Sequence, residues 1–271
     1  MIDFVGLDAA QLDLAGPRMS FERAGEAGPP VLLLHGIGAN SMGWAHVLEG
    51  LAPVARVVAW NAPGYFLSDP FLANAPTVEA YADVALALLD ALGLGGPAHV
   101  VGSSFGSMIA ACFAARHPGR VATLTLLGTS RGQRWKSAAD REAMLAMRAA
   151  SVAAGGVELA RHRSAALVAP GSPALPEVQR MVAATHAAGL MQAARCTDAV
   201  DVVADYAPDI RAPTLCITGA LDGVNPPSVG QAVAAAIAGA RYEEILGIGH
   251  LPEMELPQFT LKLLWSHMKI A

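Results

Sequence analysis

The 271-residue chain is poor in cysteine: it has three, Cys112, Cys196 and Cys216. An odd number set in apolar or helical stretches excludes a disulfide framework and fits reduced thiols, hence a cytoplasmic location. H-E-x-x-H is absent, as is any Cys–His cluster, so no metal site is expected, and nothing in the sequence calls for an organic cofactor. No apolar run is long enough to cross a bilayer, so no membrane partner is expected. Positions 1–16 carry Asp3, Asp8 and Asp13 with no basic residue, which argues against a secretory leader. The net charge of -5 lacks the basic excess of a nucleic-acid partner. Internal repeats and low-complexity tails are absent too, and the length suits one domain carrying an insertion.

What is present is more specific. Val100-Val101-Gly102-Ser103-Ser104-Phe105-Gly106 reads as an apolar strand turning sharply into a helix, with Ser104 at the apex of a G-x-S-x-G turn. The helix behind it, 105–116, stops at His117-Pro118-Gly119. A second match, Gly128-Thr129-Ser130-Arg131-Gly132, leads into a loop-like charged segment, so Ser130 is read as loop chemistry and Ser104 as the nucleophile.

A serine hydroxyl needs a base to take its proton and a third group to orient that base. Thr214-Leu215-Cys216-Ile217-Thr218-Gly219 predicts a strand with Asp222 on the loop beyond it. Residues 242–246 predict another, followed by Gly247-Ile248-Gly249-His250. Loops at strand carboxyl ends are where open α/β sheets gather functional groups. Asp222 and His250 therefore complete a Ser–Asp–His set; His46, His99, His117, His162, His186 and His267 lack such a Gly-flanked setting, and His35 belongs to a different motif. Pro30-Val31-Leu32-Leu33-Leu34 predicts a buried strand running into His35-Gly36-Ile37-Gly38. The backbone N–H groups of Ile37 and Phe105 are the expected oxyanion donors.

With these motifs in order, the chain resembles the α/β-hydrolase superfamily over nearly its whole length. Two further segments carry the likeness: Asn61-Ala62-Pro63-Gly64-Tyr65-Phe66-Leu67-Ser68-Asp69 and Gly249-His250-Leu251-Pro252-Glu253-Met254-Glu255-Leu256-Pro257. The resemblance implies an α/β fold with a mostly parallel central sheet, flanking helices and an inserted helical cap. It is similar to small bacterial enzymes that cleave esters, open lactones or hydrolyse carbon–carbon bonds of ring-cleavage products. Two departures stand out: Asn61 and Phe66 replace the family's Asp and second Gly. The elbow reads Ser104-Phe105-Gly106-Ser107 where carbon–carbon hydrolases carry S-M-G-G, and Leu251 stands where they carry an aromatic residue.

Alternating strand and helix patterns place the core in 1–131 and 209–271. Between them, 132–208 predicts only helices, with breaks at Gly155-Gly156 and Pro170-Gly171-Ser172-Pro173, as expected of the cap. Residues 131–195 hold nine of the eighteen Lys and Arg against four acidic residues. A cationic lid suits an anionic small-molecule substrate, and Arg131, Arg134, Arg148 and Arg195 are the candidates to contact its carboxylate. The expected activity is hydrolysis of a small ester or lactone through an acyl-enzyme on Ser104. The alternatives are carbon–carbon hydrolysis of a dienol by the same residues, or a ligand-binding protein without turnover. A homo-oligomer is compatible with the sequence.

Overall fold

The computed structural model describes residues 1–153 and 156–270. Eight strands form one sheet: β1 (Ile2–Gly6), β2 (Arg18–Ala24), β3 (Pro30–Leu34), β4 (Arg56–Trp60), β5 (Ala98–Ser103), β6 (Val121–Leu127), β7 (Thr214–Gly219) and β8 (Arg241–Ile245). Their order is β1-β2-β4-β3-β5-β6-β7-β8. Only β2 runs against its neighbours; β4, β3 and β5 to β8 are parallel.

The helices are α1 (Ala45–Leu51), α2 (Val78–Ala91), α3 (Phe105–Arg116), α4 (Ala138–Ala153), α5 (Gly156–Ser164), α6 (Leu175–Ala183), α7 (Ala187–Asp198), α8 (Val202–Asp205), α9 (Pro227–Ala236), α10 (Pro252–Glu255) and α11 (Pro257–Met268). Helix α2 is capped by Thr77, whose Oγ1 accepts the Ala80 N–H at 3.2 Å.

Side chains alternate across a strand, so continuous apolar strands must be covered on both faces. Leu32, Leu34, Val100, Leu124 and Leu126 face one apolar core with α2, α3 and α9. Val31, Leu33, Val101, Leu127, Leu215 and Ile217 face the other with α1 and α11. The outermost strand β8 breaks this pattern. Arg241, Glu243 and Glu244 are exposed there, and such charges discourage pairing with another chain at the sheet edge.

The chain leaves β3 for β4 on one side and returns to β5 on the other, so strand order reverses between β3 and β5. A crevice opens at the carboxyl ends of strands flanking such a reversal. Ile37 follows β3 and Ser104 follows β5, which puts both at that crevice. Helices α4 to α8 all fall between β6 and β7 in the chain. Pro170-Gly171-Ser172-Pro173 breaks α5 from α6 as expected, whereas Gly155, half of the other expected break, lies outside the described residues. The insertion is pinned shut at its base. Gly132 bridges Asp201, and Val202 N–H donates to Arg131 O at 2.8 Å.

Candidate functional site

Ser104 has φ 54° and ψ −115°, a backbone conformation that L residues rarely adopt. Three hydrogen bonds impose it: Ser104 N–H to Leu127 O at 2.8 Å, and to Ser104 O from Ser107 N–H at 2.9 Å and Ser107 Oγ at 2.6 Å. The turn needs flanking glycines for close approach. A Cβ on Gly106 would lie 2.0 Å from Leu34 O, and one on Gly102 would lie 2.1 Å from Gly106 O. The strand-to-helix turn expected at Ser104 is present. Ser130, in the rival match, instead donates its N–H to Ser107 Oγ at 2.9 Å and so braces the elbow from β6.

His250 and Asp222 meet as expected, with Nδ1 of His250 2.7 Å from Oδ2 of Asp222 and both side chains buried. The orientation of Asp222 is fixed: its Oδ1 accepts the N–H groups of Val224 and Asn225, each at 2.8 Å. Asn225, which sequence reasoning missed, also donates Nδ2–H to Gly128 O at 2.9 Å and ties the acid loop to the end of β6. Gly128 has φ +48°, and a Cβ there would sit 2.5 Å from His250 O, so any side chain would displace the histidine loop. Nε2 of His250 is buried and has no hydrogen-bond partner among the described residues. With Nδ1–H given to the carboxylate, Nε2 is the free basic nitrogen.

Ile37, Ser104 and Phe105 line one cavity of about 430 Å³, whose walls include Met144, Met147 and Leu167 from the insertion. Among the described residues, neither the Ile37 nor the Phe105 N–H has a hydrogen-bond acceptor. The two amides expected to hold an oxyanion therefore stand unpaired beside the serine.

His35 has a different task. Its Nε2 accepts the Ala62 N–H at 3.0 Å and its Nδ1 lies 2.9 Å from Gly36 O, joining the loop after β3 to the loop after β4. Burial pushes its pKa down to about 4, so it stays neutral. The two departures in the second of these loops have local explanations. Asn61 accepts the Ser41 N–H at 2.8 Å and donates to Ser20 Oγ at 3.1 Å, where a carboxylate could only accept. Phe66 keeps the left-handed conformation of the glycine it replaces, at φ 49°.

Of the four arginines expected at the substrate, only Arg148 lines the cavity among the described residues. Arg131 is spent on a two-point pair with Asp201, at 2.7 and 2.8 Å, at the base of the insertion. Arg134 pairs with Asp205 on the surface. Arg195 donates to Asn74 O at 3.1 Å, on the outer face of α7. The second arginine of the cavity is Arg163 on α5, which sequence reasoning missed. It follows the buried Leu159 by four residues, a spacing that sets both on one helix face.

Glu253 was missed as well. It is buried beneath the elbow, where Ser103 Oγ donates to its Oε1 at 2.6 Å and its Oε2 has no partner among the described residues. Burial raises its pKa from 4.5 to about 7 against the opposing pull of the Ser103 hydroxyl. A folded-state value above the unfolded one stabilises the protein fully below about pH 4.5, and that contribution is lost as pH rises through 7. His35 has the opposite sign: its contribution is present above pH 6.5 and is lost as pH falls through 4. Comparing variants isolates the glutamate. Glu253→Gln is expected to stabilise the protein at pH 8 by on the order of 3 kcal/mol, since each pKa unit is worth about 1.4 kcal/mol. No gain is expected near pH 4.5. Denaturant titrations at the two pH values check this, and equal midpoint shifts at both would refute it.

Comparison with known proteins agrees with this architecture. Residues 29–152 match the family model described as the alpha/beta hydrolase fold. The chain is 34% identical over 133 residues to a 2-hydroxy-6-oxononadienedioate/2-hydroxy-6-oxononatrienedioate hydrolase of Dechloromonas aromatica, covering 48% of this chain and 45% of that protein. The chain thus spans less than half the length of that relative. A thermophilic esterase from Thermogutta terrifontis, solved with malate bound, superposes with a TM-score of 0.85 at 25% identity, covering 98% of each chain. A pimeloyl-[acyl-carrier protein] methyl ester esterase of Chromobacterium violaceum is 30% identical over 251 residues, 89% of this chain and 95% of its own length. Together with the parallel sheet and the elbow after β5, a match of that extent means that this chain belongs to the α/β-hydrolase family.

Proposed function

We propose that the protein is a serine hydrolase that cleaves a small ester or lactone, with Ser104 as nucleophile, His250 as base and Asp222 as its orienting acid. The observation that carries this reading is His250 held by Asp222 with its buried Nε2 left without a hydrogen-bond partner among the described residues, in a chain that also sets Ser104 at the apex of the elbow in the cavity wall. The substrate carbonyl binds with its oxygen at the amides of Ile37 and Phe105. Ser104 Oγ attacks the carbonyl carbon while its proton passes to His250 Nε2. Negative charge gathers on the oxygen, where the two amides stabilise it. The imidazolium then gives its proton to the leaving alkoxide, and the acyl group stays on Ser104. Water, deprotonated by His250, attacks this ester and releases the acid. Residues 132–208 act as a cap that shapes the acyl pocket.

The near-full-length similarity to a methyl ester esterase favours ester cleavage. Similarity to the dienedioate hydrolases supports the carbon–carbon reading over about half the chain, in which the same residues first ketonise a dienol. The elbow Ser104-Phe105-Gly106-Ser107 and Leu251 weigh against it.

A fluorophosphonate probe, followed by peptide mapping, is expected to label Ser104 alone. Absence of labelling in the folded protein would refute an activated serine and leave ligand binding without turnover as the better reading.

A further inference from the structure

We infer that the cavity recognises a substrate carrying a free carboxylate a short spacer away from its scissile carbonyl, held by Arg163 and Arg148 together. This deepens the hydrolase reading above and rests on it. Three other arginines of the insertion, Arg134, Arg141 and Arg161, and Arg131 at its base each have a carboxylate partner: Asp205, Asp198, Glu158 and Asp201. Arg148 and Arg163 have none among the described residues, although both line the cavity and both are half-buried. The acidic side chain nearest to hand in that wall, Glu158, is drawn toward Arg161 at 3.2 Å and His162 at 3.4 Å.

Two like charges taken out of water side by side are costly unless an anion answers them. Burial first, and then the charge of Arg163, hold Arg148 down to about 10. Burial likewise lowers Arg163. Tyr65 offers no negative charge in return, because burial pushes its phenol pKa well up.

The position of the anion follows from the bonds of Arg163. One terminal nitrogen, Nη2, donates to Ile37 O at 3.1 Å. Nε is buried and has no acceptor among the described residues. Ile37 also supplies an oxyanion amide, and the N–H and C=O of one residue are only a few ångströms apart. A carboxylate that takes the remaining donors of Arg163 therefore lies close to the carbonyl under attack. The favoured substrates are half-esters of short dicarboxylic acids, or lactones bearing a carboxylate near the ring carbonyl, rather than long neutral acyl chains.

The test compares monoethyl succinate with diethyl succinate, in which a second ethyl ester replaces the carboxylate, with rates counted per ester group. Wild type is expected to favour the half-ester in kcat/KM by 10-fold or more. That ratio is expected to collapse toward 1 in Arg163→Met and Arg148→Met, mainly through KM, with partial recovery in Arg163→Lys. A wild-type preference for the diester, or a ratio unchanged in both Met variants, overturns the inference while leaving the hydrolase reading intact. The site is also read without turnover, by the rise in Tm that succinate gives Ser104→Ala. That shift is expected to vanish when Arg163→Met is added. Failure of wild type to cleave either ester, with the succinate shift intact, would sink the hydrolase reading and keep the anion site.

Discussion

Ser104→Ala is expected to lower kcat by about 10⁶-fold, the scale seen when a serine nucleophile is removed from a unit of cooperating residues. The fold should be unaffected. The hydrogen bonds that impose the turn use the main chain of Ser104 and the side chain of Ser107, not the Ser104 hydroxyl. Alanine inherits the same strained φ of 54°, so its Tm should match that of wild type. Ser104→Gly is the informative companion. It should be equally inactive but more stable, by roughly 1 kcal/mol, because glycine adopts that conformation without strain. Circular dichroism melts beside single-turnover assays separate the two effects. A Ser104→Ala enzyme retaining more than a thousandth of the wild-type rate would remove Ser104 from the mechanism.

Asp222→Asn should cost about 10⁴-fold in kcat, through the tautomer of the base rather than through lost packing. The two N–H groups at Oδ1 dictate how the new side chain sits. They need an acceptor, so the amide oxygen takes that side and the NH₂ turns toward His250. Nδ1 of His250 must then accept, which puts the ring proton on Nε2, where a base needs a lone pair. Glu253→Gln makes the comparison: its charge acts on His250 but no hydrogen bond joins the two, so the tautomer is kept and a loss on this scale is not expected. If Asp222→Asn kept kcat within tenfold of wild type at pH 8, the orienting role would belong to another group.

The strands and the strand-to-helix elbow were legible because each is written locally. Apolar runs such as Val31-Leu32-Leu33-Leu34 need two covered faces, and Gly102 and Gly106 flank the serine for contacts within one turn of chain. The excess of basic residues between β6 and β7 was legible, but not which arginines face the cavity. That depends on how α4 and α5 are rotated against their neighbours, and the sequence of a mixed Ala-Arg helix leaves that rotation open. Arg131 looked available beside the core, yet its partner Asp201 lies seventy residues on, across the insertion. Glu253 was hidden for the opposite reason. A lone acid between Pro252 and Met254 looks like surface, and only the tertiary contact with Ser103 shows it to be interior.

The clasp at the base of the insertion, where Gly132 meets Asp201 and Arg131 grips the same aspartate, mechanically uncouples α4 to α8 from the sheet. With the entry and exit strands already tied together, helices can be lengthened, swapped or recharged beyond the clasp without shifting Leu127, which holds the serine turn, or Thr214, which begins the strand leading to the acid. Changes within α4 to α8 are thus expected to alter the shape of the cavity while leaving the serine turn and the acid loop in register.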